Sequence, residues 1–278
     1  MGEKKTLLDW FEAAPRELLY TVVAIALIIP LVHPLGLPVP VQPEMQSWYD
    51  IIDSLPEGAN VLYAICSLSS YPAFESVQVA TLHHLFIKNA HVFIYGVDAT
   101  TLVTYQQTIQ SINPESYGKE YGVDYMFTGY VPGGETAMKS VGENFKAAVP
   151  ADNSGTPLDQ IPMCENIHDA TDFDLLICIT SAGETATGWI RQWVTPYGTK
   201  YINCVLDMML PSIQPYVPQQ VKALIGSAMG GQYEFLLGRP GPGLKQQDAF
   251  TGGHLVLMAF IIMGNVAAIA RRMGSNRR

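Results

Sequence analysis

The residue types best suited to chemistry stand in two turns of the same form. In "YVPGGET" (130–136) an apolar run ends, Pro132, Gly133 and Gly134 turn the chain, and Glu135 opens a helical pattern. In "TSAGETATGW" (180–189) Ser181 and Gly183 precede Glu184 in the same way. Glycines permit close backbone approach, free N–H groups at a helix N-terminus can cradle an anion, and two carboxylates can share acid–base work. The plainer role is to make the turn and set an acid against the positive end of the helix. Neither turn has the dinucleotide fingerprint or a P-loop lysine, and Ser181 lacks the G-x-S-x-G elbow of a nucleophilic serine. If their strands are adjacent, the two turns form one polar crevice faced by Glu135 and Glu184.

Two further acids end apolar runs. Asp98 stands where an acid binds ribose hydroxyls in a dinucleotide fold, but without the glycine fingerprint its natural task is to cap a helix over 100–121. Asp207 is placed alike, five runs along. His83 and His84 lie inside a helical pattern without a carboxylate at ligand spacing, His168 sits in a long loop, and Cys66, Cys164, Cys178 and Cys204 form no CxxC pair. No metal and no cofactor is expected from these. The "SAMGGQYEFLLG" stretch (227–238) reads as a close-packing helix start rather than a catalytic loop.

Short β-rich runs at 60–67, 90–97, 124–130, 173–180, 200–206 and 221–227 must position these residues. They alternate with helical segments at 43–54, 73–89, 100–121, 134–147, 184–195 and 230–237. The runs are continuously apolar, as in strands covered on both faces. The reading is an α/β domain over 45–236, Rossmann-like and doubly wound on a mainly parallel sheet, with a periplasmic-binding-protein-like arrangement as its neighbour. The irregular segment 150–171 interrupts the rhythm, and loops of that length are functional or cover an interface.

The chain has 278 residues and a net charge of −9. No charge occurs from Leu18 to Pro43, and 18–37 is long and apolar enough to cross a bilayer as an uncleaved anchor. The second such run, 250–270, ends at Arg271 and Arg272. The segment 1–17 suits an interfacial amphipathic helix, 38–44 a proline-rich linker and 237–249 a second linker, with 271–278 as a basic tail. Outside the basic ends the chain carries nine basic and twenty-one acidic residues, a net charge of −12. The expectation is a two-pass protein of the cell membrane with both termini cytoplasmic and the domain outside. That acidity argues against nucleic acid. Within the second run His254 and Asn265 are eleven positions apart, near one helical face, and with Gly253 and Gly264 they are candidate helix contacts.

The combination of "PLGLPVPVQPE" (34–44), "YGKEYGVDYMFTGYVPGGE" (117–135), "GTPLDQIPM" (155–163), "GRPG" (238–241) and "MGNVAAIARR" (263–272) resembles an uncharacterised family of prokaryotic two-span membrane proteins with one central α/β domain. The resemblance covers nearly the whole chain. It implies architecture and no activity. The resemblance implies an arginine in the glycine helix, which is missing from "AMGGQYEFLL" and weakens the case for an anion site there.

Three functions fit, in this order. The first is a non-catalytic structural or accessory subunit of a larger membrane assembly, in contact with lipid and with copies of itself or other membrane subunits. The second is an extracytoplasmic domain that binds a small ligand between the two glycine turns. The third is a hydrolase or transferase using Glu135, Ser181 or Glu184.

Overall fold

The computed structural model describes residues 15–33 and 35–275. The chain divides into two compact units, Pro40–Arg239 and the paired segments Met1–Val39 with Pro240–Arg278. The expected interfacial segment 1–17 lies outside the described residues except for its last three, as do the last three of the basic tail.

In the first unit six strands form one all-parallel sheet: β1 (Asn60–Ile65), β2 (His91–Gly96), β3 (Tyr125–Tyr130), β4 (Leu175–Thr180), β5 (Tyr201–Val205) and β6 (Ala223–Gly226). Their order is β3-β2-β1-β4-β5-β6, so the direction of winding reverses between β1 and β4. This is the order of doubly wound sheets. Every residue of β4 and β5 is buried, which explains their unbroken apolar sequence.

Helices cover both faces. On one side α2 (Pro43–Asp53), α3 (Tyr71–Ile87), α4 (Thr101–Ile112) and α7 (Gly230–Leu236) pack over Val61, Tyr63, Ile94, Ile177 and Ile202. On the other, α5 (Glu135–Glu143), α6 (Gly183–Trp189) and the segment from Leu158 to Phe173 pack over Leu62, Phe93, Leu176 and Tyr201. α3 buries twelve of its seventeen residues, including Gln78, Thr81, His83 and His84; a helix surrounded by protein has no wet face to keep polar.

Two expectations need correction. The helix placed over 100–121 ends at Ile112, because Asn113 turns left-handed at φ 51° and Pro114 cannot continue it. The remainder is a 3₁₀ turn, Pro114–Tyr117. The segment 150–171 is not an open loop either. Asn153 N–H donates to Phe127 O at 3.0 Å along the outer side of β3, and Leu158, Ile161, Met163, Cys164 and Ile167 are buried in the core. It closes an edge that would otherwise offer unpaired backbone groups.

The second unit contains α1 (Arg16–Val32) and α8 (Pro242–Ser275), which pack against each other. α8 holds a stretch, Pro242–Ala270, long and apolar enough to cross a membrane. α1 is shorter, 17 residues or about 26 Å, so of the two expected spans only the C-terminal one has that character in the fold. Close packing is made at glycines: a Cβ on Gly252 would lie 3.0 Å from Ala26 O, and one on Gly253 would lie 2.8 Å from Leu27 Cδ2. Beyond α1 the chain is clamped. The N–H groups of Leu35, Gly36 and Leu37 donate to the Asp248 carboxylate at 2.7, 3.0 and 3.2 Å, and Asp248 is 1 % exposed.

Candidate functional site

In an open parallel sheet the carboxyl ends of the strands form the edge where ligands bind, at the point where winding reverses. All eight ligand candidates of the α/β domain lie on that edge. Asp98 follows β2, Gly133, Gly134 and Glu135 follow β3, Ser181, Gly183 and Glu184 follow β4, and Asp207 follows β5. The two glycine turns do not share a crevice through neighbouring strands, however, because β2 and β1 stand between β3 and β4. What joins them is the packing of α5 beside α6, where Gly188 leaves room for Met138: a Cβ there would sit 3.0 Å from its Sδ.

The Gly133–Gly134 turn has φ values of 126° and 56°, which only glycine adopts without strain. It borders an open cleft of about 500 Å³ lined in part by Val131, Pro132, Thr136, Ser140 and Asn144. Glu135 does not face that space as a free base. Arg191 donates to it through Nε at 2.7 Å and Nη2 at 2.6 Å, and Gln192 Nε2 adds a bond at 2.8 Å. The Arg191 and Gln192 bonds hold its carboxyl down at about 2, so it exchanges no proton near neutrality. Arg191 reaches it because the helix after α6 widens into a π turn, Ile190–Val194. That turn keeps Trp189 and Trp193 inward while Arg191 and Gln192 point out, and Trp193 Nε1–H donates to Met138 O at 2.8 Å.

Asp98 and Asp207 are joints between loops. One oxygen of Asp98 accepts from Thr100 N–H and Thr100 Oγ1–H, both at 2.7 Å, at the start of α4. Thr100 Oγ1 in turn accepts from Leu68 N–H at 3.1 Å, fastening the β2 exit to the β1 exit. Asp207 accepts from Ser227 Oγ–H at 3.0 Å and Ala228 N–H at 3.1 Å, fastening the β5 exit to the β6 exit. Its carboxylate needs Gly226, where a Cβ would lie 2.2 Å from Oδ1. Glu184 is exposed in the first turn of α6, and Gly183 lets that turn approach Met209.

The loop after β1 was missed by sequence reasoning. It faces the winding reversal and carries Ser67, Ser69 and Ser70, whose hydroxyls lie 3.3 and 3.1 Å from that of Ser67. The signal was present as "ICSLSSYP", an apolar strand, a serine-rich turn and a proline opening a helix, but it has no glycine to draw attention.

Other chemistry-bearing residues sit elsewhere. His84, 2 % exposed, stacks on Tyr49, and its Nδ1 lies 2.9 Å from Tyr233 Oη and its Nε2 3.5 Å from Asp53 Oδ1. An ionised Asp53 only accepts, so Nε2 carries the proton and Tyr233 donates to Nδ1. His83 Nδ1 pairs with Tyr117 Oη at 2.5 Å. Burial lowers the pKa of both histidines, His83 to about 4 with help from the Arg239 charge. All four cysteines are free and buried, and burial pushes the Cys66, Cys164 and Cys178 thiols up to about 12, far from thiolate reactivity. Among the described residues no three His, Cys, Asp or Glu side chains gather as metal ligands.

Of the helix-contact candidates in α8, Gly253 meets α1. Gly264 has nothing within 4 Å of an added Cβ, and His254 and Asn265 are exposed. No family model, no curated protein and no solved structure matches this chain.

Proposed function

We propose that the protein is a membrane-anchored α/β domain serving as a non-catalytic structural or accessory subunit of a larger membrane assembly. The observation that carries this reading is the use made of the polar groups on the strand-end edge: Asp98, Asp207 and Glu135 are spent on fastening loops and helices to one another. No hydroxyl on that edge has a described histidine in hydrogen-bond contact, so a Ser–His pair of the kind that activates a nucleophile is not among the described contacts. In this reading α8 spans the bilayer and α1 returns beside it, supplemented by flanking residues to cover the thickness. The excess of Lys and Arg near both ends then puts the termini in the cytoplasm and the acidic domain outside.

The test is the mass of the native complex extracted in nanodiscs, with its components identified by mass spectrometry. A defined assembly larger than one chain, free of small molecules, is expected. A monomer carrying a co-purified metabolite overturns the reading in favour of a second one, an extracytoplasmic ligand-binding domain. That alternative draws on the Ser67–Ser70 hydroxyls at the winding reversal and on the cleft beside Gly133. Loss of ligand-induced thermal stabilisation in a Ser67→Ala, Ser69→Ala variant would then locate the site.

A further inference from the structure

From residue 249 onward the buried positions of α8 among the described residues are Ala249, Gly253 and Ala267, a single stripe in which Gly253 packs against Leu27 of α1. At 100° per residue, Asn265 lies about 160° around the helix from that stripe, and His254, Met258 and Ile261 share its side within about 40°. All four are exposed. Asn265 is five residues inside the end of the run, about 7 Å deep along the axis, and its amide makes no hydrogen bond to any described residue. Burying an amide in hydrocarbon without a partner costs several kcal/mol. His254 differs, since its Nδ1–H donates to Phe250 O at 2.6 Å and satisfies its donor within the helix.

We infer that α8 pairs in parallel with α8 of a second copy of this chain, through Asn265 and the Ile261–Met258 side of the helix. This rests on the reading of α8 as a membrane span. The choice of a second copy follows from depth and chemistry. Copies inserted with the same topology put residue 265 at the same level in the bilayer. A two-fold axis along the membrane normal then sets amide against amide. Each Asn side chain holds both a donor and an acceptor, so two of them satisfy each other reciprocally. Any other partner must supply its own amide or hydroxyl at that depth. The face opposite α1 is the one left for this contact, so self-pairing and the α1–α8 pairing coexist.

The experiment is oxidative crosslinking of single-cysteine additions to the full-length chain in native membranes. The four native thiols are buried and the unmodified chain is the blank. Ile261→Cys is expected to give a disulfide-linked species of twice the chain mass, and Val266→Cys, about 100° away from Asn265, is not. Adding Asn265→Leu to Ile261→Cys is expected to lower the crosslinked fraction about threefold, the worth of one interhelical hydrogen bond in lipid, and Asn265→Gln to restore most of it. Equal crosslinking at 261 and 266, a product with a different protein, or no dimer from a chain that stays in carbonate-washed membranes overturns the self-pairing alone. Release of the unmodified chain by carbonate overturns the membrane reading itself.

Discussion

The two faces of the sheet are held by different physics. On the α5–α6 side the contacts are aromatic: Phe93 meets Phe145 and Phe173 edge-on, Phe173 leans on Trp193, and Trp193 packs against Trp189, with ring centroids 5.2 to 5.8 Å apart. On the α2–α3–α7 side the apolar core encloses polar joints. Gln78, fully buried, accepts from Cys66 N–H at 3.1 Å and donates to Thr108 at 2.8 Å, and Tyr63 donates to its backbone oxygen. His84 joins α3 to α7 through Tyr233 and to α2 through Asp53. An aromatic face loses stability with volume and is indifferent to pH. A face with buried imidazoles carries a titration.

The largest effect should come from the aromatic face. Trp193→Ala empties a fully buried site and removes its bond to the Met138 carbonyl, and is expected to cost ~3–5 kcal/mol in denaturant unfolding. Should the loss stay below ~1 kcal/mol, the aromatic cluster is not what fixes α5 and α6. Gln78→Leu keeps volume but leaves Cys66 N–H without its partner in the core, while Thr108 keeps its bond to Thr104 O at 2.7 Å, at roughly 1–3 kcal/mol by the same assay. A neutral result would mean that the polar joint is dispensable and the two faces are alike.

The pH comparison separates them more sharply. His83 and His84 have native pKa values below the ordinary 6.5. The unfolded chain therefore binds more protons over this range, and their contribution is fully present above pH 6.5 and drains away as pH falls toward about 4. Tm should drop by several degrees between pH 7 and pH 4.5. The slope should flatten in His83→Gln, His84→Gln and persist in Trp193→Phe; an unchanged slope in the histidine variant would assign the acid sensitivity elsewhere. The smallest effect belongs to the surface. Arg191 and Glu135 are half exposed, so a double-mutant cycle with Arg191→Ala and Glu135→Ala should show coupling of only ~0.5–1 kcal/mol despite the two-pronged geometry.

Much of this architecture is legible in the residues themselves. Each of the six strands falls inside its apolar run, because a strand buried on both faces has no alternative composition. The helices are placed as well, apart from the one that Asn113 and Pro114 cut short and the one over 134–147, which extended backbone at Asn144 divides into α5 and a single turn, Phe145–Ala148. Strand order is another matter. Nothing in "VPGGE" or "SAGET" tells that two strands intervene between them, and nothing near Glu135 announces an arginine 56 positions away. Those pairings are made by the sheet and by the π turn, both of which are long-range outcomes. The role of 150–171 was hidden likewise, since the β3 edge it closes is defined only once β3 is known to lie outermost. In α8 the eleven-residue spacing of His254 and Asn265 gave their common face, while the glycines facing α1 decided which way that face looks.

The Asp248 clamp carries a consequence for the order of assembly during synthesis. Its carboxylate and the Leu35 N–H it accepts are separated by 213 residues, so at 5–20 residues per second the first helix waits roughly 10–40 s for its partner. The α/β domain is translated in that interval, and the clamp can close only after it. Closure of the Leu35–Leu37 turn around Asp248 is thus a marker that translation has passed the whole domain, and a nascent chain arrested before Asp248 leaves α1 without the helix that its glycine contacts require.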